Sequence, residues 1–426
     1  MSALCVIAHA HPDLSRGGGE VAAYRQVQTM RGAGQRVILV AASASPPGTG
    51  LAAGSPPEPL IPHAADEFLY EVAGMEPDRL WWADPPRRRA LVRRLAALPV
   101  TAYHFHHYWR VGVDLIAELM EARPDARFAI TLHEMLAICI NHGQMIRTQG
   151  RELCDRETPL RCLGCFPGRS IPGLLLRKAA LLEVLRRFDH RFYPSEFIRA
   201  RYAAWGLAGT AGSVLENYLG DELLALPRRP LPKPVANPAG DPAVARHFGF
   251  FGQPTPFKGL DILVQGFGLA LRHIPDARLT VFGAGRADLL RDFPDLLPVL
   301  EQAGDSIRFA GRYDPAEVAT LMGSVGWVVI PSIWWENSPV VIQEARRTGT
   351  PLIASDIGGM AEKVLDGVDG LHFRRAAPAD LARVLAEAAR PETHARLAAS
   401  IRDVIGRTEF LAALDTVFST GRPPAR

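Results

Sequence analysis

The chain of 426 residues contains no run of 18 or more apolar residues, so it offers no membrane-spanning helix. It has little net charge. Lys and Arg number 48 against 45 Asp and Glu, a balance of +3, whereas nucleic-acid binders carry a large clustered basic excess. Nucleic acid is therefore not an expected partner. There is no short tandem repeat and no low-complexity tract, and 48% apolar content with mixed charges excludes a disordered chain. Cysteine is scarce, at five residues. The opening segment 1–8 is apolar but short and lacks a basic leader, so it reads as a buried strand rather than a secretory signal. A cytoplasmic placement follows as the expectation, with thiols or metal ligands favoured over disulfides.

Two basic clusters interrupt the mixed charge. Arg87, Arg88 and Arg89 precede Arg93 and Arg94, while Arg177, Lys178, Arg186 and Arg187 flank Leu181, Leu182 and Leu185. They read as solvated helix faces. The alternative is peripheral contact with an anionic membrane on its cytoplasmic face.

Short apolar runs alternate with helical patterns. Strands are expected at 4–8, 36–40, 102–105, 128–132 and 191–193, and helices at 20–31 and 113–122. Residues 225–242 hold six prolines without periodicity and read as a linker. The alternation resumes with strands at 248–251, 279–282, 307–310, 327–330 and 352–355, and helices at 260–271, 315–322 and 340–347. The fold class is α/β with two doubly wound domains, 1–224 and 243–404, whose ligands sit beyond the strands' carboxyl ends.

The richest segment runs from Pro331 to Ala345. A strand ends at Ile330, a loop carries Glu336, Asn337 and Ser338, and a helix follows with Glu344 in its second turn. Ser338 is the expected N-cap and Pro339 suits the first turn. Free N–H groups of such a helix start, Val340 among them, attract phosphate. A carboxylate offers two oxygens to a ribose diol.

Glu336 and Glu344, seven residues apart and followed by Gly349-Thr350-Pro351-Leu352-Ile353-Ala354-Ser355 and Gly358-Gly359, resemble the E-x7-E region of glycosyltransferase family 4. The resemblance implies a GT-B fold, two Rossmann-like domains facing each other across a cleft, and a retaining reaction. It implies that Glu344 holds the donor ribose and Glu336 the donor sugar. Phe251 to Gly259 resembles the family's G-R-L-x-x-x-K-G loop, with Lys258 on the diphosphate and Gln253 where the family has Arg, so one cation is missing. Val281-Phe282-Gly283-Ala284-Gly285 resembles the strand ending in G-x-G, and the base is expected near 307–322.

In the first half, Ser15 to Glu20 resembles the G-G-x-E loop, which places Gly18 and Gly19 against the donor diphosphate. Tyr103 to His107 resembles the H-x-H segment, with His106 aligned to the histidine that reaches the donor sugar. His133 and Glu134 fall where the family lines its acceptor pocket. A C-terminal helix in 405–426 is expected to pack back on the N-terminal domain.

Cys139, Cys154, Cys162 and Cys165 crowd an insert at about 135–170. Their pattern fits either one closed structural zinc site or four reduced thiols. Catalysis requires no metal or other cofactor in this reading. The donor nucleotide sugar is a co-substrate, and the partner is a saccharide or lipid-linked acceptor. The expectation is a hexosyltransferase-type enzyme of bacterial polysaccharide or glycoconjugate synthesis. A nucleotide-sugar epimerase of the same fold and a non-catalytic nucleotide-sugar-binding protein are the alternatives.

Overall fold

The computed structural model describes residues 3–15, 17–43, 59–72, 74–76, 80–150, 152–209, 211–225 and 241–419. The chain divides into two compact units, Met1–Gly220 with Ile405–Arg426, and Asp221–Val404. The expected linker falls largely on 226–240, outside the described residues.

The first unit contains β1 (Leu4–Ala8), β2 (Val37–Ser43), β3 (Ile61–Ala64), β4 (Glu67–Glu71), β5 (Met75–Glu76), β6 (Trp81–Trp82), β7 (Ala102–Phe105), β8 (Arg127–Thr131), β9 (His190–Tyr193) and β10 (Gly212–Val214). Eight of them form one sheet in the order β10-β9-β8-β7-β1-β2-β4-β3, and β5 pairs with β6 separately. All ladders of the large sheet are parallel except β3 with β4. Every residue of β1, β2 and β7 is buried, the consequence of helices covering both faces. The helix Arg407–Phe418 belongs to this unit. Gln35 donates to Asp415 at 3.1 Å, Arg127 donates to the Val417 carbonyl at 2.6 Å, and Phe418 lies 5.3 Å from the His104 ring.

The second unit contains β11 (His247–Phe251), β12 (Arg278–Phe282), β13 (Ile307–Gly311), β14 (Trp327–Ile330), β15 (Leu352–Ser355) and β16 (Gly370–Phe373). They form an all-parallel sheet in the order β13-β12-β11-β14-β15-β16. Strand order reverses between β11 and β14, and in the first unit between β1 and β7. Loops beyond those carboxyl ends diverge and leave a crevice. The core covers both faces of the sheet, with Phe248, Phe267 and Trp327 on one side and Met322, Ile342 and Met360 on the other.

Two local expectations need correction. Residues 315–322 are a 3-10 turn, Pro315–Glu317, followed by the helix Val318–Gly323, because Asp314 and Glu317 cap the turn reciprocally. The helix after β14 is capped by Pro339 and begins at Val340, so Ser338 is not its N-cap. The Ser338 hydroxyl is instead buried without a hydrogen-bond partner.

Candidate active site

Three loops converge beyond the carboxyl ends of β11, β12 and β14. The first, residues 252–259, carries Gln253 and Lys258. Gly259 has φ +70°, and a Cβ there would stand 1.9 Å from the Pro331 carbonyl oxygen. Only glycine lets the β11 loop lie against the β14 loop this closely. The second loop turns at Gly283, where φ is +93° and a Cβ would meet the Gly252 carbonyl at 2.4 Å. Gly285 caps the helix Arg286–Asp292, with its N–H bound to Asp288 at 3.0 Å.

The third loop, residues 331–339, is tied down on both sides. Ile333 N–H donates to the Phe257 carbonyl at 2.9 Å, and Gly359 N–H donates to the Glu336 carbonyl at 2.7 Å. A Cβ at Gly359 would stand 1.5 Å from the Asn337 carbonyl oxygen. Glu336 is thereby fixed, and its Oε1 receives Lys258 Nζ at 2.6 Å, Ser332 Oγ at 2.9 Å and Trp334 Nε1 at 2.9 Å. Burial opposes ionisation of Glu336. The Lys258 charge and these hydrogen bonds outweigh burial and hold its carboxyl below the usual range. Lys258 and Glu336 thus form one unit, with the lysine the more exposed partner.

A cavity of about 660 Å³ is lined by Gln253 of the Lys258 loop, Glu344 of the helix after the Glu336 loop, and Gly283, Asp288, Arg291, Arg312 and Tyr313, while Lys258 and Glu336 do not line it. Its size suits a small molecule, for which roughly 300–1,000 Å³ is usual. Tyr313 packs edge-on against Phe251 and Phe282. Burial, with the Glu344 charge, pushes its hydroxyl up to about 12. Val340 opens the helix whose first turn has no side-chain cap. A cavity of about 600 Å³ between the helices Leu260–Ala270 and Pro378–Ala388 receives none of the motif residues.

Arg291, Arg312, Tyr313 and Asp288 were not singled out by sequence. Two guanidinium groups, Arg291 and Arg312, line the same cavity as Gln253, and Arg291 pairs with Asp288 and Asp292. The available signal was position: Arg312 and Tyr313 directly follow a strand whose end was expected near the base.

In the first unit, Gly18 and Gly19 form the first turn of the helix Gly18–Gly32, capped by Gly17. Space beside Gly18 is open, whereas a Cβ on Gly19 would stand 3.1 Å from the His9 ring. Glu20 folds back to His9 Nε2 and Ser15 Oγ, both at 3.2 Å. Burial opposes its charge, yet the His9 and Ser15 contacts hold it low.

The histidines form a buried network. Gln26 donates through Nε2 to His104 Nδ1 at 2.9 Å, and His106 Nε2 lies 3.0 Å from Gln26 Oε1. His106 Nδ1 lies 3.1 Å from His133 Nε2, and His107 Nε2 lies 3.2 Å from Glu134. Burial, then neighbouring histidines, drive His104 and His133 down to about 3, and His106 and His107 well below their ordinary value. These rings are neutral. His106 is only 3% exposed, and its two nitrogens face His133 and Gln26. Its half-buried neighbour His133 lies nearer the surface. Gln26 was missed, although a polar residue among Ala22, Ala23, Val27 and Met30 on a buried helix face marks such a hub. Burial raises the Glu134 carboxyl to about 7.

All five cysteines are free, and among the described residues no three cysteines bring their Sγ atoms within 4.8 Å of one another. Cys162 nevertheless interacts electrostatically with Cys139, Cys154 and Cys165, so the insert gathers all four thiols in one neighbourhood. Burial raises the Cys139 and Cys162 thiols to about 11. Arg177 ties the insert to its helix, donating to the Ala137 and Leu136 carbonyls at 2.5 and 2.7 Å, and Lys178 pairs with Glu157 at 2.9 Å. Arg186 donates to the Gly206 carbonyl and Arg187 pairs with Glu121. The second basic cluster is thus spent within the chain, although Leu175 and Leu176 beside it are exposed. No helix among the described residues is long and apolar enough to cross a membrane.

A sequence profile for Glycosyltransferase Family 4 matches residues 16–217, and one for Glycosyl transferases group 1 matches residues 245–390. The chain is 30% identical over 135 residues to a D-inositol 3-phosphate glycosyltransferase of Corynebacterium aurimucosum, covering 31% of this chain and 32% of that protein. It is 30% identical over 179 residues to a phosphatidyl-myo-inositol mannosyltransferase of Mycobacterium leprae, covering 41% and 42%. The matched segments thus span about a third to two fifths of these relatives' length. In fold it resembles HepE of Anabaena in complex with UDP, at a TM-score of 0.63 and 16% identity over 99% of this chain and 100% of that one. Sucrose-phosphate synthase of Thermosynechococcus elongatus gives 0.63 and 17% over 98% and 95%.

Proposed function

The chain belongs to glycosyltransferase family 4, and on that premise we propose that it moves a sugar from a nucleotide-sugar donor to an acceptor hydroxyl with retention of anomeric configuration. The observation that carries this reading is the pairing of Lys258 with Glu336, where the Lys258 loop and the helix after the Glu336 loop also line the cavity that holds Glu344, Tyr313 and Arg312.

Glu344 accepts the two ribose hydroxyls. Tyr313 and the Gly283 turn flank the base. Lys258, Arg312 and the uncapped helix start at Val340 face the diphosphate. Charge on the diphosphate grows as the bond to the sugar breaks, so a fixed cation interacts more strongly in the transition state than with bound substrate. Glu336, held ionised, accepts sugar hydroxyls and keeps Lys258 in place. The bond between the anomeric carbon and the diphosphate oxygen breaks. The acceptor oxygen bonds to the same face of that carbon, and its proton passes to the departing diphosphate. The histidine network belongs to the acceptor half, where His106 holds His133 in position.

The UDP complex of HepE supports a uridine diphosphate donor as the first to try, and the names of the two relatives support inositol phosphates and inositol lipids as first acceptors. Bacterial glycoconjugate or polysaccharide synthesis is the setting we propose. The test is a thermal-shift screen of nucleoside diphosphates and sugar nucleotides, followed by nuclear magnetic resonance of the product's anomeric proton. Acceptor-dependent release of nucleoside diphosphate with a retained anomer is expected. An inverted anomer, or donor turnover indifferent to acceptor, overturns the reading.

A further inference from the structure

The loop after β1 and the edge strand β3 bring three metal-ligating side chains together in the first unit. One ligand atom each from His11, Asp13 and His63 lies within 4.8 Å of the others. His11 Nδ1 stands 3.4 Å from Asp13 Oδ2, and His63 Nε2 stands 3.1 Å from the same oxygen. Metal bonds of about 2.0–2.1 Å in a tetrahedron place neighbouring ligand atoms about 3.3–3.4 Å apart. One edge of this triangle has that length and a second is 0.2–0.3 Å shorter.

The back of the site is built as well. His11 is 1% exposed, and its Nε2 lies 3.0 Å from Glu67 Oε2. Glu67 is buried and takes Arg31 Nη1 on its other oxygen at 2.6 Å. A carboxylate on the far nitrogen of a histidine fixes which nitrogen keeps the proton and makes the other a better ligand. That leaves Nδ1 of His11 to face Asp13 and His63. Its present partner is the Asp13 N–H at 3.2 Å, a long bond that a metal bond would replace. The His63 ring crosses the His11 ring at 4.5 Å between centroids, and the third edge lies within 4.8 Å.

We propose that His11, Asp13 and His63 bind one divalent transition-metal ion, with Glu67 orienting His11. Two imidazoles and one carboxylate select a zinc-type ion over magnesium or calcium, which demand oxygen ligands. Asp13 is exposed and His63 is partly so, which keeps a fourth position open to water or a ligand oxygen. The ion would clip β3, the antiparallel edge of the sheet, to the loop that carries His9. This site shares no residue with the donor cavity and does not rest on the proposed reaction.

The test is titration of the full-length, metal-stripped protein with Co(II), followed by calorimetry and visible absorption. One ion per chain is expected, with visible d–d bands and no near-ultraviolet thiolate charge-transfer band. Cys162→Ser should leave the binding unchanged. His63→Ala and Asp13→Ala, both at partly or fully exposed positions, should abolish it at the same concentrations. Glu67→Gln should weaken it by roughly 10–100-fold, as loss of an orienting carboxylate does. A thiolate band, absence of uptake, or uptake unchanged by His63→Ala and Asp13→Ala overturns the site.

Discussion

Glu336 Oε1 carries three donors at once, so its neighbours cannot be changed independently. Lys258→Ala removes a cation and also leaves a buried carboxylate with two neutral donors. The expected loss in kcat is about 100-fold or more, on the scale of removing one oxyanion donor. Steady-state kinetics of Lys258→Ala, Glu336→Gln and the double variant separate the two causes. If Lys258→Ala changes only KM, its role is uniform binding. Glu344→Ala should weaken nucleoside diphosphate binding by about 1.5–3 kcal/mol, the scale of hydrogen bonds to charged groups, and calorimetry checks it. The neutral histidines give a pH prediction. Folded His104 and His133 titrate near 3, below the ordinary 6.5, so the unfolded chain binds more protons between those values. Their stabilisation is complete above pH 6.5 and is lost as pH falls toward 3. Glu134 acts oppositely, since its raised carboxyl loses stability as pH rises through about 7, but it is one group against several rings. The thermal midpoint should fall steadily as pH is lowered below 6.5, and a flat profile would refute the neutral-ring assignment. The two glutamates stood out because their spacing lies within one short loop and its helix, and Lys258 because it sits in a short loop between a strand and a helix. Gln26 and His9 did not, because their partners arrive from other elements.

Secondary elements with continuous apolar runs were legible nearly to the residue. β1, β7, β14 and β15 match their expected ranges. β3 was missed because its burial alternates over only four residues, and β10 because all three of its residues are exposed. The Ser338 cap failed for a related reason. Local capping chemistry was overruled when Gly359 N–H fixed the Glu336 carbonyl and redirected the chain. This clamp makes a prediction about elements rather than side chains. Gly359→Ala and Gly259→Ala must push the Asn337 and Pro331 carbonyls aside, at a cost of about 1–3 kcal/mol for overpacking, with loss of turnover. Gly18→Ala meets no atom within 4 Å and should leave the thermal midpoint unchanged. Thermal unfolding of the three variants decides this, and a stable Gly359→Ala would show that the loop is not pinned there.

On the scale of the whole chain, alternation of strands and helices made two α/β units legible, and six prolines marked a break between them. The return of the last helix to the first unit is a matter of tertiary packing. Phe410, Leu414 and Val417 are buried there, and Phe410 stacks on Tyr218 at 4.9 Å. Truncation after residue 404 should expose their partners in the first unit, at about 1.5–3 kcal/mol for each lost apolar side chain. Proteolysis should then cut the first unit sooner and leave the second unit's protection unchanged. Equal protection of both units in the truncated protein would refute this packing. The same connectivity governs the order of events on the ribosome. Segment 221–404 is continuous and can close its sheet as soon as it has emerged, whereas the first unit begins earlier and lacks its last helix until residue 418 appears. At about 5–20 residues per second, the first unit waits about 10–40 s while its neighbour is synthesised. Throughout that interval the surface around His104 and Phe192 that Phe418 will cover remains open, and it is the place where a nascent-chain chaperone would be needed.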